Sequence, residues 1–148
     1  MSSEERRTWA AMISNLLVNL WFGHRIWQMY SNGTYIAPDG LQTWAQTMLW
    51  VIPAAIIANI ALTILVSISN SILTGEPAGK GLKDERDRKF EYFGMGAMIL
   101  FTLAGVFSAM IALAMGVSAF NAFNIVYLGM FLGDIANSLV RLGLYRGQ

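Results

Sequence analysis

The chain has 148 residues, of which 55% are hydrophobic and only 13% charged, and its net charge is +1. Soluble domains carry about 25% charged residues and disordered chains are poor in hydrophobic ones, so the composition argues against both classes and indicates a membrane protein. The lack of cysteine and the single histidine, His24, exclude disulfide scaffolds, thiolate metal sites and sites that need several histidines from one chain, and we expect no metal, no cofactor and no nucleic-acid partner.

Four stretches meet the requirement of about 20 mostly apolar residues for a membrane-spanning helix. The first covers residues 9–27 and contains Asn15 and Asn19, which lie four residues apart and therefore on one helix face. No small-residue cleavage site follows this stretch, so it is not read as a cleavable signal peptide. Segment 31–40 comes next and is predicted to form turns, because it contains Asn-Gly and Pro-Asp-Gly.

The second predicted helix, residues 43–73, is longer than one minimal span and contains Pro53, which predicts a kink. Its polar residues recur at steps of three or four and so form a stripe along one face. The stripe consists of Asn59, Thr63, Ser67, Asn70 and Thr74.

A charged segment opens the third predicted helix, residues 84–117, whose apolar part begins at residue 90. Opposite charges stand four residues apart, as in Glu85 and Lys89, so the segment reads as a solvated helical extension into the cytoplasm. The alternative is a docking surface for a cytoplasmic partner. The segment comprises Asp84, Glu85, Arg86, Asp87 and Arg88.

Small residues recur every four positions in the third helix and in the fourth predicted helix, residues 119–145. Such rows let helix backbones approach closely, so they predict tight packing or dimerisation and no chemistry. The rows are Ala104, Ser108, Ala112 and Gly116 in the third helix and Gly129 and Gly133 in the fourth.

Asp134 is the one acidic residue well inside a predicted span, and buried polar groups in membranes are the first candidates for function. Two interpretations remain open. Asp134 is either a proton or cation site in a cytoplasm-facing cavity or one half of a structural ion pair with Arg141, bridged by Asn137. The further polar residues expected near the cavity are Tyr127, Asn15, Asn19, Asn59 and Asn70.

All Lys and Arg residues except Arg25 lie before the first helix, between the apolar parts of the second and third helices, or at the end of the fourth. Basic residues accumulate on the cytoplasmic side of membrane proteins, so both termini are predicted to be cytoplasmic. Aromatic side chains cluster at the opposite, outer boundary, where they are expected to form an anchoring belt. This cluster consists of Trp21, Trp27, Tyr30, Tyr35, Trp44 and Trp50.

The predicted fold is therefore all-α, a single polytopic domain of four transmembrane helices in a bundle. The segment Asp84-Glu85-Arg86-Asp87 before the third helix and the ending Arg141…Tyr145-Arg146-Gly147 resemble a family of small four-helix prokaryotic membrane proteins that carries a domain of unknown function. The resemblance implies a multi-pass protein of the prokaryotic inner membrane and supplies no activity.

Three functions follow as hypotheses. The first is a non-enzymatic membrane protein that acts as a homo-oligomer or as an accessory or regulatory subunit of another membrane protein, since the sequence offers no catalytic or metal constellation. The second is a small channel or transporter whose polar cavity surrounds Asp134. The third is a membrane enzyme acting on lipids or quinones, for which only Asp134, Tyr127 and Arg141 are available as reacting groups, so we expect no enzyme.

Overall fold

A computed structural model describes residues 3–74 and 85–147. Within these ranges the chain is all-α and contains no strand. The four helices are α1 (Ser3–Ser31), α2 (Gly40–Thr74), α3 (Glu85–Ala114) and α4 (Ala119–Arg146), and a short 3₁₀ turn at Thr34–Ile36 lies between α1 and α2. The four predicted helices are confirmed, and α1 and α2 extend past the predicted bounds at both ends because polar residues continue a helix beyond its apolar stretch.

Three of the four helices are long and apolar enough to cross a membrane, over Gly40–Ser69, Glu85–Ala114 and Ala119–Arg146. This is the composition of a helical membrane protein. Helix α1 does not reach the same apolarity, although it is 29 residues long. The reason is local, because Asn15 and Asn19 interrupt its apolar core and His24 and Arg25 follow it closely.

The helices form two antiparallel hairpins that are joined through α4. Helix α1 packs on α2, α3 packs almost entirely on α4, and α4 also packs against α1. In the α1–α4 pair, Arg146 lies 4.0 Å from Glu5 at one end and Tyr30 contacts Asn121 at the other. The two helices are therefore antiparallel, and both ends of the chain lie at the same end of the bundle.

Two glycines close the turns between paired helices. Gly33 and Gly116 have φ angles of +71° and +86°, a region that favours glycine. Gly33 lies in the predicted Asn-Gly turn. Gly116 lies in the turn that follows α3, and this helix ends at Ala114, three residues before the predicted end at residue 117. Helix α2 is continuous through Pro53.

Glycines bring the backbones of α3 and α4 into direct contact. A Cβ atom built on Gly105 would lie 2.7 Å from the Cα atom of Gly129, and one built on Gly133 would lie 2.8 Å from the Met98 carbonyl oxygen. No side chain fits at such distances without a shift of the backbone. Gly129 and Gly133 thus lie in the packing interface that their GxxxG spacing predicts.

The face of α3 that meets α4 differs from the predicted row of small residues. The buried residues of α3 are Phe90, Gly94, Gly105 and Ala109. By contrast, the predicted row points largely away from α4, because each step of one residue rotates a helix face by about 100°. Of that row, Ala104 and Ser108 are exposed, Ala112 is half-buried, and Gly116 lies exposed in the turn.

The apolar core lies at the loop end of α1, α2 and α4, opposite the chain termini. Phe22 is completely buried, and its ring lies 4.2 Å from that of Tyr127 and 6.3 Å from that of Trp44. Trp44 is 7% exposed and therefore belongs to the core, whereas Trp27 and Trp50, predicted in the same belt, are about 70% exposed. The remaining buried members of the cluster are Val18, Met29, Val51 and Phe120.

Candidate functional site

Polar side chains of α1 and α4 meet along the line where the two helices pack, which we call the α1–α4 seam (Thr8 to Asn19 on α1 and Tyr127 to Ser138 on α4). The Tyr127 hydroxyl donates a hydrogen bond to Asn19 Oδ1. Asn19 Nδ2 in turn donates to the backbone carbonyl of Asn15 at 2.6 Å. The structure thus brings together three residues that the sequence proposed for one site.

Asp134 lies on the same face of α4 as Tyr127, two turns closer to the chain termini. It is half-buried. Because α1 and α4 are antiparallel, with Tyr127 opposite Asn19 and Arg146 opposite Glu5, Asp134 faces the turn of α1 that contains Ser14. Its carboxylate receives no hydrogen bond and forms no ion pair with any residue in the described ranges.

The ion pair between Asp134 and Arg141 that the sequence suggested is not present in the described part of the chain. Arg141 instead lies against α3, where its Cγ atom would stand 2.9 Å from a Cβ atom on Gly94. Asn137 packs on the same glycine and bridges nothing between the two charges. The missing side chain of Gly94 leaves the space that both residues fill, so Arg141 turns toward α3 rather than back along α4.

Arg141 belongs to a second polar cluster, at the end of the α3–α4 hairpin that holds the chain terminus. The Tyr145 hydroxyl donates to Asp87 Oδ1 at 3.0 Å and also lies near the Arg141 guanidinium. The Tyr145 ring packs edge-on against Phe90 at 5.0 Å. Sequence reasoning missed this cluster, although Asp87 and Tyr145 are equally distant from Gly116 along the chain and therefore face each other in a tight hairpin.

Polar groups around α4 are better satisfied near the loops than toward the chain termini. Near the loops, Trp44 Nε1 donates to Asn124 Oδ1 at 2.8 Å and the Tyr30 hydroxyl donates to Asn121. Near the termini, Ser14 is completely buried and its hydroxyl has no partner, and Arg141 Nε is also buried without one. Ser14 lies around the level of Asp134, and Arg141 lies two turns closer to the chain termini.

The sequence did not single out Asn121 and Asn124, which connect α4 to α1 and α2. The sequence feature that could have identified them is a pair of side-chain amides in the first two turns of an otherwise apolar helix, where each polar group needs a partner. Asn124 also donates to the Phe120 carbonyl of its own helix at 3.0 Å.

The polar stripe of α2 does not join Asp134 in the described residues. Asn59 is half-buried, and its Oδ1 accepts from Thr63 Oγ1 at 3.3 Å on the same helix. Asn70 lies in α2, and its side chain falls outside the described part of the structure. Helix α2 packs chiefly on α1, which explains why the stripe remains apart from α4.

The charged segment forms the first turns of α3, as predicted. Lys89 Nζ lies 4.0 Å from Glu85 Oε1, both side chains being exposed, so this predicted i,i+4 pair is confirmed. The Arg86 guanidinium stands 5.9 Å from the centre of the Phe90 ring, and Arg88 is exposed. Asp84 lies outside the described residues.

Comparison with protein-family models, with curated proteins and with solved structures found no match for this chain. The resemblance suggested by the segment from Asp84 to Asp87 remains a prediction. The functional argument therefore depends on the chemistry of the seam and on the surfaces that the helices leave uncovered.

Proposed function

We propose that the chain is a multi-pass protein of the prokaryotic inner membrane that acts, without catalysis, as a homo-oligomer or as an accessory subunit of another membrane protein. The observation that carries the proposal is the position of α3. This helix packs almost entirely on α4, so its other faces are left for lipid or for a second protein. Among them is the face with Ala104 and Ser108, whose small side chains permit another helix to approach closely.

The proposal includes a fourth span, over α1. The polar residues that lower its apolarity point into the protein, since Asn19 bonds to Tyr127 and Ser14 is buried. Its outward side chains are apolar, with Leu17 56% exposed and Leu20 70% exposed. A helix with this distribution is suited to lipid on one side and to α2 and α4 on the other.

Four spans and the distribution of basic residues support cytoplasmic termini. The turns between α1 and α2 lie near Arg25, the only basic residue between residues 8 and 79, whereas both chain ends carry arginines. The ion pair between Glu5 and Arg146 is consistent with this orientation, because it joins the two ends of the chain on one side.

Single-cysteine labelling tests the orientation cleanly, because the natural chain has no cysteine. We expect Asn32→Cys to react with a membrane-impermeant thiol reagent in intact cells. Ser3→Cys is expected to react only after the membrane is opened. Equal reaction of both variants in intact cells would contradict a span over α1.

Oxidative crosslinking tests assembly. We expect Ser108→Cys to form a disulfide-linked dimer in native membranes, because the face with Ala104 and Ser108 would meet its copy. The matched control is Met110→Cys, at similar depth and 60% exposed on another face of α3. A crosslinked product between Ser108→Cys and a different protein would favour the accessory subunit. The absence of any crosslinked product at Ser108, together with a monomeric mass in mild detergent, would contradict both forms of assembly.

A second candidate function, a small channel or transporter, is favoured by one observation. Asp134 has no ion-pair partner in the described residues, and the buried Ser14 hydroxyl at its level has no hydrogen-bond partner. Polar groups that do not satisfy each other are able to hold water or a cation. The charge on Asp134 would then take part in the movement of a proton or cation along the inner half of the seam.

Flux into liposomes tests this candidate. We expect purified protein to pass protons, reported by an entrapped pH-sensitive dye, or K⁺ or Na⁺, and we expect Asp134→Asn to reduce that flux. The matched control is Asp87→Asn, which removes an acid outside the seam. Equal flux for Asp134→Asn and the natural protein, or flux no greater than that of empty liposomes, would exclude the transport function.

A further inference from the structure

A groove with a polar outer half and an apolar inner half runs between α1 and α2, away from the α1–α4 seam. Its outer pocket, about 380 Å³, lies at the level of the loops, and its inner pocket, about 300 Å³, lies deeper along the helices. Trp21 lines both pockets, so they adjoin each other along the contact between the two helices. The outer pocket is lined by Trp21, Arg25, Thr43, Gln46, Thr47 and Trp50, and the inner one by Leu17, Val18, Trp21, Ala54 and Ala58.

The inner half of the groove exists because the residues of α2 that face α1 are small at this depth. On α2, Ala54 and Ala58 stand four residues apart opposite Leu17. Two methyl groups at these positions leave an open channel where larger side chains would fill the contact between the helices. The channel is lined by apolar atoms, so it suits a hydrocarbon chain.

The outer half has a different chemistry, centred on Arg25. Arg25 is exposed, and its Nη1 donates to Gln28 Oε1 at 3.2 Å, which leaves the other guanidinium donors facing the pocket or water. Gln46 offers a further exposed amide. The acidic residue of this end is Asp39, in the turn before α2, where its backbone carbonyl accepts from Thr43 Oγ1.

An anionic group fits this end of the groove better than a helix from a second copy. A guanidinium binds phosphate oxygens through two parallel hydrogen bonds, and tryptophans at its sides are typical of the headgroup region. The outer ends of a second copy would bring only Asp39 as an acid, in a turn rather than on an apolar helix. An apolar helix alone would leave the charge of Arg25 unpaired.

We propose that this groove binds a phospholipid with an anionic headgroup, its phosphate at Arg25 and one acyl chain along Leu17, Ala54 and Ala58. The proposal depends on the membrane location proposed above, with α1 crossing the bilayer. To that location the present proposal adds a specific lipid-binding site. The site lies in the leaflet that faces the turns between α1 and α2.

Native mass spectrometry of the full chain in detergent tests the headgroup contact, with phosphatidylglycerol and phosphatidylcholine added in equal amounts. We expect one phosphatidylglycerol to remain bound in preference to phosphatidylcholine. Arg25→Gln should reduce that preference roughly tenfold, the effect of losing a charge-assisted hydrogen bond. Arg25→Lys should retain part of the preference, and Arg88→Gln, which removes an exposed arginine at the other end of the bundle, should leave it unchanged.

A second pair of variants tests the acyl chain. Ala58→Leu should lower the retention of both lipids, because it fills the inner pocket. Ala61→Leu, an equal change at an exposed position one turn further along α2, should not. Glycerol phosphate, which has the headgroup chemistry without an acyl chain, should fail to compete.

Several outcomes would overturn the proposal. One is an equal lipid preference in Arg25→Gln and the natural protein, and another is equal lipid retention by Ala58→Leu and Ala61→Leu. A third is a disulfide-linked dimer formed by Trp21→Cys, which would place a second copy in the groove. Thermal unfolding of each variant in detergent checks that it is folded. If the cysteine labelling shows that α1 crosses the membrane and no lipid is retained, the lipid site alone fails, whereas a failed labelling test removes the membrane-crossing α1 as well.

Discussion

Helix α4 contacts α3 through its backbone and α1 through its side chains. Toward α3, Gly129 and Gly133 leave no room for a Cβ atom. Toward α1, Tyr127 bonds to Asn19, and Asp134 faces the turn that contains Ser14. One interface therefore depends on shape, and the other depends on polar groups held between helices.

The difference follows from what a membrane offers to each kind of contact. Lipid is as apolar as the side chains of α3, so two apolar helices gain little from hiding their surfaces and need close packing instead. Polar side chains gain from any partner, because lipid supplies none. The α3–α4 hairpin should therefore be sensitive to volume, and the α1–α4 seam should be sensitive to hydrogen-bonding groups.

The largest expected effect is on the glycine contact. Gly129→Leu should destabilise the fold by about 3 kcal/mol or more, because even its Cβ atom would lie 2.6 Å from the Cα atom of Gly105. Unfolding by SDS in mixed micelles measures the loss. Gly143→Leu, on the same helix with no atom within 4 Å of the added Cβ, should change stability by no more than about 0.5 kcal/mol. Equal losses in the two variants would contradict the shape-dependent contact.

Sequence patterns identified the GxxxG row of α4 and not its partner row in α3. Both Ala104-Ser108 and Gly94-Gly105 are small, and a single helix carries no signal that decides which row meets a neighbour. The rotation of α3 is set by both helices together, since Gly105 meets Gly129 where two backbones cross. A pairwise comparison of residues equally distant from the turn at Gly116 would have favoured the observed face.

The next effect concerns the polar contact between α1 and α4. Tyr127→Phe should destabilise the protein by about 0.5–1.5 kcal/mol, because Asn19 Oδ1 loses its donor between two packed helices. The control, Tyr92→Phe, removes a hydroxyl from a side chain that is 72% exposed and should be neutral. In a double-mutant cycle with Asn19→Leu, the two losses should be less than additive. Full additivity would show that the two groups do not interact.

A smaller effect is expected where α3 and α4 exchange a hydrogen bond at their ends. Tyr145→Phe should destabilise by about 0.5–1 kcal/mol, since water is able to replace part of the bond to Asp87 near the surface. The same substitution in an Asp87→Ala background should have almost no effect. An undiminished loss in that background would mean that the Tyr145 hydroxyl acts through the Arg141 guanidinium rather than through Asp87.

The composition of the seam was more predictable than its connections. Steps of three, four and seven residues placed Asn15, Asn19, Tyr127 and Asp134 on facing surfaces, and the structure brings the first three together. The direction of Arg141 was not predictable, because its long side chain reaches a full turn either way along α4. What decides the direction is Gly94, a residue of another helix.

The smallest expected change in stability is at Asp134, and its size separates the two interpretations of this residue. Removing one partner of a buried ion pair destabilises a protein by about 3–5 kcal/mol. Because Asp134 and Arg141 form no pair in the described residues, Asp134→Asn should change stability by no more than about 0.5 kcal/mol. Its effect should also add to that of Arg141→Gln, since residues without a shared contact behave independently. A loss of several kcal/mol, or strong coupling between the two substitutions, would restore the structural ion pair, whereas a neutral Asp134→Asn that abolishes flux would assign the carboxylate to transport.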